Sequence, residues 1–570
     1  MTTHTAPPQT NKRTLKSYFP IIEWLPKYQK SWLRGDVIAA LTLWALLVPE
    51  AMAYAGIAGM PPETGLYAAP LALIAYAIFG TSKHLNVGPS SAVAALSFSV
   101  VVGMGVGIGS AEFILLTIVL ALVVGVMLII GGFLKLGVLA DFLSRPVLDG
   151  FVVGVAISIA VGQLDKILGF APDGYAFVPD MLQFIARLNQ TDIPTLLVGG
   201  ICLALLFALH KYTPKLPSAL IVLFLAIGAS TVFDFSAMGI HIVGEIPAGL
   251  PNFGMPEGFS WQALLAVAPG AVGVALVAFA ESVAIARAFA TKYGYEVDAN
   301  QELIAIGASN LGSSFSGAFV VNGSMSRTAA AEGAEAKSQM VSLVAAVAVL
   351  ITAVALTGLF YNLPEATLGA IVIHAVWKNI NFRKISKYKT VTTLDFVTAI
   401  VALVGVLLLG LLEGLLLAAF LGLIALLVST KQRNTSVLGK VPETDIYRSL
   451  ANYPQGETYP GLLILRFDGS LFFANSQDFV GAIRRAIAAE ETPPQVVVLD
   501  CESMNSIDAT AVITLSEFKE QLDEDHIELR IARVKQQVLD VMIKGGLEKS
   551  IPPEHFYPSV QTAVDAYLAE

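Results

Sequence analysis

The chain has 570 residues, of which 55% are hydrophobic and only 14% are charged, and its mean hydropathy is +0.69. An ordinary soluble domain carries about 25% charged residues, and runs such as 114–132 and 394–410 are long enough to cross a hydrocarbon core, so a purely soluble protein is excluded. The net charge of −9 provides no basic face for nucleic acid, and two cysteines, Cys202 and Cys501, cannot build a disulfide framework or a metal cluster.

The chain begins with a polar segment, residues 1–36, which is expected to lie in the cytoplasm. Its basic residues, Lys12, Arg13, Lys16, Lys27, Lys30 and Arg34, argue against a cleavable signal peptide. Fourteen apolar segments follow between 37 and 430, and each is predicted to span the membrane. They are 37–58, 65–80, 88–106, 112–134, 143–164, 193–210, 217–235, 263–283, 302–318, 323–334, 339–361, 366–377, 394–410 and 412–429.

The charges of the connecting loops predict the topology. Basic residues are concentrated after the sixth, eighth and twelfth predicted spans, in 210–215, 286–294 and 378–389, whereas 231–260, after the seventh, contains no Lys or Arg. Cytoplasmic loops are enriched in Lys and Arg. Both termini are therefore predicted to face the cytoplasm, with the protein as a multi-pass component of the cell membrane.

The last part of the chain has a different pattern. A basic linker is predicted over 431–440, and a soluble domain over 441–570. Within it, strand-like runs such as GLLILRF and QVVVLD alternate with helical ones such as DATAVITLSEFKEQL. This alternation is typical of an α/β domain, which the topology places in the cytoplasm.

Among the charges inside predicted spans, three stand out, namely Glu50, Glu281 and Arg327. Ionisable residues within a membrane are costly and usually mark a pathway or a binding site. The alternative is that each caps a helix or forms a structural pair, and Arg327 has the further option of extending to the membrane surface.

The spacing of these charges indicates an internal repeat. Glu50 is followed after 38 residues by Gly88, and Glu281 after 42 residues by Gly323. Each glycine begins a glycine- and hydroxyl-rich entry to a short helix. If each unit has seven spans, the two copies are inverted in the membrane, and inverted repeats with paired broken helices place the substrate near the midplane.

The chemistry of the two breaks indicates an anion site. Two half-helices that point their N-termini at each other present unsatisfied N–H groups and two positive dipole ends. Hydroxyl groups and one full positive charge are available beside them. They come from Ser90, Ser91, Ser324, Ser326 and Arg327.

These segments closely resemble those of the sulfate permease (SulP) family of anion transporters. The similar stretches are LLVPEAMAYAGIAGMPPETGLYAA (46–69), NVGPSSA (86–92) and GSMSRTAAAEGA (323–334), and VVVLDCESMNSIDATAV (496–512) is similar to a STAS domain. The resemblance implies an α-helical polytopic membrane protein with fourteen spans in a 7+7 inverted repeat. It also implies uracil-permease-like core and gate domains that move as an elevator, a cytoplasmic α/β STAS domain, and a homodimer.

The resemblance also implies which residues bind the substrate. They are Glu50, Tyr54, Ser90, Ser91, Glu281, Ser324, Ser326 and Arg327. Many members of the family have Pro-Gln where this chain has Pro49-Glu50. A carboxylate at an anion site is repulsive unless it is protonated or paired with a cation, so this difference leaves the substrate open.

The leading functional hypothesis is a secondary active transporter of a small inorganic anion, with sulfate first. Uptake of bicarbonate or a C4-dicarboxylate is one alternative, and an anion channel or a STAS-linked sensor is another. An enzyme is not expected, because the sequence contains no nucleophile–base pair, and neither a cofactor nor a metal ion is expected, because the seven histidines have no ligand spacing.

Coupling and regulation are also predicted. Glu281 and Glu50 are the candidate coupling residues, and a proton is favoured over sodium. The family's sodium-dependent bicarbonate carriers resemble this chain with a hydroxyl one turn after the Glu281 position, where Ile285 offers no oxygen. In the STAS-like part, Thr510 is a candidate phosphorylation site where a cytoplasmic regulator would act, although Asp508 is also expected as an ordinary helix N-cap.

Overall fold

The computed structural model describes residues 18–141, 145–171, 177–213, 217–430, 435–547 and 550–570. The chain divides into two compact units, Met1–Gly422 and Leu423–Glu570. Several residues used in the sequence predictions lie outside the described residues. They are Lys12, Arg13, Lys16, 143–144, 214–216 and 431–434.

The first unit is almost entirely helical, and a helix overlaps each of the fourteen predicted segments. The first seven are α1 (Leu33–Ile57), α2 (Pro62–Phe79), α3 (Ser91–Val102), α4 (Ala111–Phe133), α5 (Arg145–Gly162), α8 (Ile193–Tyr212) and α9 (Ser218–Phe233), with the shorter α6 (Leu164–Leu168) and α7 (Phe177–Ala186) between α5 and α8.

The second seven helices repeat this order. They are α10 (Trp261–Tyr293), α11 (Ala299–Phe315), α12 (Met325–Gly333), α13 (Met340–Ile351), α14 (Glu365–Trp377), α16 (Thr393–Leu409) and α17 (Leu411–Thr430), with α15 (Phe382–Val391) between α14 and α16. Helix α13 continues through a π-helical turn and a 3-10 turn to Phe360. The basic segment 378–389, predicted as a loop, thus contains most of α15.

Seven helical segments among the described residues are long and apolar enough to cross a membrane. They are Lys30–Ile57, Pro62–Phe79, Ala111–Phe133, Arg145–Leu168, Ile193–Tyr212, Trp261–Tyr293 and Met340–Phe360. Shorter apolar helices include α3 and α9. The polytopic helical architecture is confirmed, and the count of fourteen spans stays a prediction.

Local sequence signals explain where the long helices begin and how closely they pack. The hydroxyl of Ser260 accepts a hydrogen bond from the N–H of Ala263 and caps α10, which ends at Gly294 with φ of 67°. Helices α1 and α2 approach so closely that a β-carbon on Gly65 would lie 2.0 Å from the carbonyl oxygen of Ala51. Only glycine fits at that contact.

Two short strands join the halves of the first unit. Strand β1 (Val87–Gly88) pairs antiparallel with β2 (Asn322–Gly323), with Val87 opposite Gly323. Each strand leads directly into a half-helix, β1 into α3 and β2 into α12. The pairing brings the N-termini of α3 and α12 together, as the repeated glycine-hydroxyl breaks predict.

The second unit is an α/β sandwich around a six-stranded sheet of order β4-β3-β5-β6-β7-β8. The strands are β3 (Thr435–Lys440), β4 (Tyr447–Ser449), β5 (Leu462–Phe467), β6 (Val496–Asp500), β7 (Glu528–Ala532) and β8 (Phe556–Tyr557). The helices are α18 (Ser476–Ala489), α19 (Ala509–Glu524), α20 (Gln536–Lys544) and α21 (Val560–Ala569). Strands β5 to β8 run parallel, and β3 runs antiparallel to its neighbours.

Alternate residues of the central strands enter different hydrophobic clusters. Leu463 and Leu465 of β5 pack in the cluster that contains α18 and α19, while Leu462 and Ile464 pack in the cluster that contains α21. Strands buried on both faces appear as continuous apolar runs, which is why β5 and β6 were predictable.

One predicted boundary differs in the structure. Residues 435–440, assigned above to the linker, form β3 and pair with both β4 and β5. The sequence TSVLGK did not indicate a strand, because it lacks a clear apolar pattern. Only Leu438 and Gly439 are fully buried in it. The sheet therefore begins before residue 441.

Candidate functional site

Arg327 lies in the first turn of α12 and is only 1% exposed. Its Nη1 donates to the carbonyl oxygen of Pro89 at 2.5 Å, across the junction of the two half-helices. Its Nε and Nη2 have no hydrogen-bond partner among the residues that the structure describes. Burying unpartnered guanidinium N–H groups is costly, so these two nitrogens indicate a place for an acceptor.

Glu50 provides the negative partner of this arginine. It lies on α1 directly after Pro49, is 7% exposed, and places its Oε2 at 3.5 Å from Nη1 of Arg327. Pairing with a cation is one of the two ways in which a carboxylate becomes tolerable beside an anion. Glu50 therefore partly neutralises the charge of Arg327, and it is not an unpaired negative charge beside the ligand.

Glu281 reaches the same region from α10. Its Oε2 accepts a hydrogen bond from Nδ2 of Asn322 at 2.7 Å, and Oδ1 of Asn322 accepts from the hydroxyl of Ser90 at 2.5 Å. Next to Glu281, the hydroxyl of Ser282 accepts from the N–H of Gly323 at 2.8 Å. These contacts tie α10, β2 and the start of α3 into one polar network.

The two half-helices begin differently. Ser90 stands at the N-cap of α3 without capping it, because its hydroxyl is directed to Asn322. Ser324 caps α12 by accepting from the N–H of Arg327 at 3.4 Å, and its hydroxyl lies 3.1 Å from that of Ser326. The first N–H groups of α3 thus lack a side-chain cap and are oriented to bind an anion.

The remaining predicted site residues occupy the margins of this region. Ser91 is the first residue of α3 and is half-buried, and Ser326 is exposed. Tyr54 is 5% exposed and packs in a small apolar cluster with Met60 and Phe319. The roles of all eight residues in binding and coupling stay predictions.

Sequence reasoning missed several contacts that hold the half-helices together. Asn322 was not selected, and neither were the backbone carbonyl of Pro89 and the Asn86–Thr328 contact, in which the N–H of Asn86 donates to Oγ1 of Thr328 at 3.0 Å. The carbonyl of Asn86 also accepts from the N–H of Ser324 at 2.9 Å. The signal for Asn322 was its position immediately before Gly323, in the same polar break as Arg327.

The candidate positions for sodium and for phosphorylation can also be located. Ile285 is 8% exposed and lies in the main apolar cluster. In the second unit, Thr510 is exposed, while Asp508 caps α19 by accepting from the N–H of Ala511 at 2.8 Å. The N-cap expected at Asp508 is present, and phosphorylation of Thr510 stays a prediction.

Comparisons with known proteins agree with this architecture. The sulfate permease family model matches residues 33–402, and the STAS domain model matches residues 453–563. A probable sulfate transporter of Mycobacterium tuberculosis is 36% identical over 560 residues, covering 97% of this chain and 99% of that protein. Probable sulfate transporter 4.2 of Arabidopsis thaliana is 31% identical, covering 96% and 83%. The structure of SLC26A9 has a TM-score of 0.90 at 25% identity, covering 97% of this chain and 93% of that one.

Proposed function

Because the chain belongs to the sulfate permease family, we propose that this anion transporter, which is not an enzyme, carries sulfate as its substrate by proton-coupled symport. The observation that carries the proposal is the buried guanidinium of Arg327, with two nitrogens that have no partner among the described residues, at the junction of two half-helix N-termini. A guanidinium fork and helix N-termini together suit a compact oxyanion.

Sulfate is the substrate that the relatives support. The mycobacterial and plant relatives above are both named as probable sulfate transporters, and they align with nearly the whole of this chain. A tetrahedral dianion offers four acceptor oxygens, enough to satisfy Nε and Nη2 of Arg327 and the uncapped N–H groups of α3 at the same time. In this proposal Ser91, Ser324 and Ser326 complete the set of hydrogen-bond donors, and Tyr54 forms the apolar side of the anion site.

The proposed coupling ion is a proton, carried mainly by Glu281. The carboxylates differ in their partners: Glu50 has a guanidinium at 3.5 Å, whereas Glu281 has the neutral amide of Asn322. Burial and a nearby anion both favour the protonated form of a carboxylate that lacks a cationic partner. Glu281 is therefore the group that gains a proton when the anion binds, and Glu50 is the secondary coupling residue.

The remaining features of the proposal follow from the family and from the loop charges. We place the protein in the cell membrane with both termini in the cytoplasm, as a homodimer whose core domain moves against its gate domain as an elevator. The STAS domain then faces the cytoplasm, where it is available to a regulator.

The proposal is tested by initial-rate uptake into proteoliposomes that contain the purified full-length protein. Labelled sulfate, bicarbonate and succinate are each offered with an inward proton gradient, with and without sodium. We expect sulfate uptake driven by protons, and we expect Glu281→Gln to bind sulfate but to lose acceleration by the gradient.

Other outcomes separate the alternatives. Uptake of bicarbonate or succinate but not of sulfate would show that sulfate is not the substrate. Strict dependence on sodium would show that sodium, and not a proton, is the coupling ion. Gradient-driven uptake by Glu281→Gln at the wild-type rate would remove Glu281 from the coupling step. A conductive anion flux that is coupled to neither the proton gradient nor the sodium gradient would identify a channel.

A further inference from the structure

Asn322 is a fully buried amide whose two ends are both engaged by residues of the site. Its Nδ2 donates to Oε2 of Glu281, and its Oδ1 accepts the hydroxyl hydrogen of Ser90. The same residue is paired with Gly88 in the strand that joins the half-helices. Asn322 therefore connects the carboxylate of Glu281 on α10 with Ser90, the N-cap residue of α3.

The direction of these two hydrogen bonds corresponds to an ionised Glu281. A carboxylate is an acceptor only, so the amide must turn its N–H₂ group towards it. The amide oxygen is then left facing Ser90, whose single hydroxyl hydrogen is consumed by it. In this state Ser90 stands at the N-terminus of α3 but has no hydrogen to offer an anion.

Protonation of Glu281 reverses the requirement. A carboxylic acid has one O–H donor, which is best satisfied when Oδ1 of Asn322 faces it. A half-turn of the amide about its Cβ–Cγ bond provides this arrangement, and Nδ2 then donates to the oxygen of Ser90. This rearrangement is a hydrogen-bond relay from Glu281 through Asn322 to Ser90. It keeps two hydrogen bonds, adds one proton to Glu281, and frees the hydroxyl hydrogen of Ser90.

We propose that Asn322 is a positioning residue that transmits the protonation of Glu281 to the anion site, so that Ser90 donates to the anion only when Glu281 is protonated. This inference rests on the proposed function, because it requires an anion at the junction of α3 and α12. The inference adds to the proposed function a route by which proton binding and anion binding reinforce each other beyond simple charge neutralisation.

Few other charged groups can reverse the relay. The neighbouring elements α3 and β2 contain no ionisable side chain. The ionisable side chain of α4 is Glu112, in its first turn, and that of α11 is Glu302, which accepts hydrogen bonds from Tyr76 and Thr81. On α10 itself the nearest cation in sequence is Arg287, nearer the C-terminal end. The other charges of the site are Glu50 and Arg327, which are paired with each other.

The test is the pH dependence of the Ser90 contribution to sulfate binding. Dissociation constants for sulfate are measured on the purified full-length wild type and Ser90→Ala at about pH 5.5 and about pH 8.5, on either side of neutrality. The loss of a hydrogen bond to a charged ligand is expected to weaken binding about tenfold or more at acidic pH. At alkaline pH the variant should bind within about twofold of wild type, because the hydroxyl hydrogen is already engaged there.

Ser326→Ala is the matched control, since its hydroxyl is at the other half-helix and is not connected to Asn322. Any loss of affinity that it causes should be the same factor at both pH values. In Asn322→Leu, if it folds, no amide oxygen engages the hydroxyl of Ser90, so a further Ser90→Ala change should weaken sulfate binding by the same factor at both pH values.

An equal loss of affinity at both pH values in Ser90→Ala would overturn the relay, as would a Ser90 contribution that still depends on pH in the Asn322→Leu background. Either result would leave the proposed function intact, because the wild type would still bind sulfate. Failure of the wild type to bind sulfate at either pH would instead overturn the proposed function and the inference that rests on it.

Discussion

Replacing Arg327 by alanine is the most direct test of the anion site. The change removes Nε and Nη2, the two nitrogens without a partner among the described residues, and with them the full positive charge of the site. Charge-assisted hydrogen bonds contribute about 1.5–3 kcal/mol, and each 1.4 kcal/mol is about tenfold in affinity. Sulfate affinity should therefore fall about ten- to hundredfold.

The same change also removes the partner of a buried carboxylate. Glu50 is 7% exposed, and stripping one member from a buried ion pair costs about 3–5 kcal/mol of folding free energy. Arg327→Ala alone should therefore unfold at a lower temperature. The double variant Glu50→Gln/Arg327→Ala should recover that stability, because no buried charge is left unpaired, but it should not recover affinity.

Equilibrium binding of labelled sulfate to the purified, monodisperse proteins measures the affinity, and thermal unfolding in the same detergent measures the stability. If the double variant is as stable as wild type and binds sulfate as tightly, the guanidinium does not contact the anion. If it is stable and binds weakly, the loss belongs to the site and not to the fold.

Three further changes test separate parts of the molecule. Glu50→Gln should bind sulfate at least as tightly as wild type in the same assay, because an amide competes less for Arg327; weaker binding would mean that the carboxylate orients the arginine. A chain truncated before residue 435 should retain sulfate affinity, since none of the site residues lies in the second unit, and a folded truncation without binding would refute the placement of the site. Burial raises the pKa of the Cys501 thiol, so it should resist alkylation at neutral pH until the second unit unfolds, as mass spectrometry of iodoacetamide-treated protein will show.

The broken helices were predictable because their signals are local. Gly88 and Gly323 each lie a few residues after a predicted span and precede a hydroxyl-rich start, and this combination is what a helix needs when it begins inside a membrane. The charges of Glu50, Glu281 and Arg327 were likewise visible, because each is conspicuous among apolar neighbours. Two of them, Glu50 and Arg327, lie in contact in the structure.

The contacts that organise the site were not predictable in the same way, because they join residues far apart in the chain. The register that sets Gly88 opposite Asn322 depends on the packing of both halves, and so does the approach of Arg327 to the carbonyl of Pro89. Periodicity and spacing report which element a residue belongs to, and not which atom of another element it faces. Asn322 was overlooked for this reason, although it is buried between two predicted site residues.

Charge balance offers a physical reason why the site needs protons to hold a dianion. The N-termini of α3 and α12 each contribute about half a positive charge, and Arg327 contributes one more. Ionised Glu50 and Glu281 offset these, so that the empty site is close to neutral. A sulfate dianion would leave an uncompensated charge of about −2, which a buried site disfavours strongly. One proton on Glu281 halves the excess, and only a second, on Glu50, removes it. A monoanion would need one proton alone, so the charge of the substrate, more than its shape, should set the number of protons that accompany it.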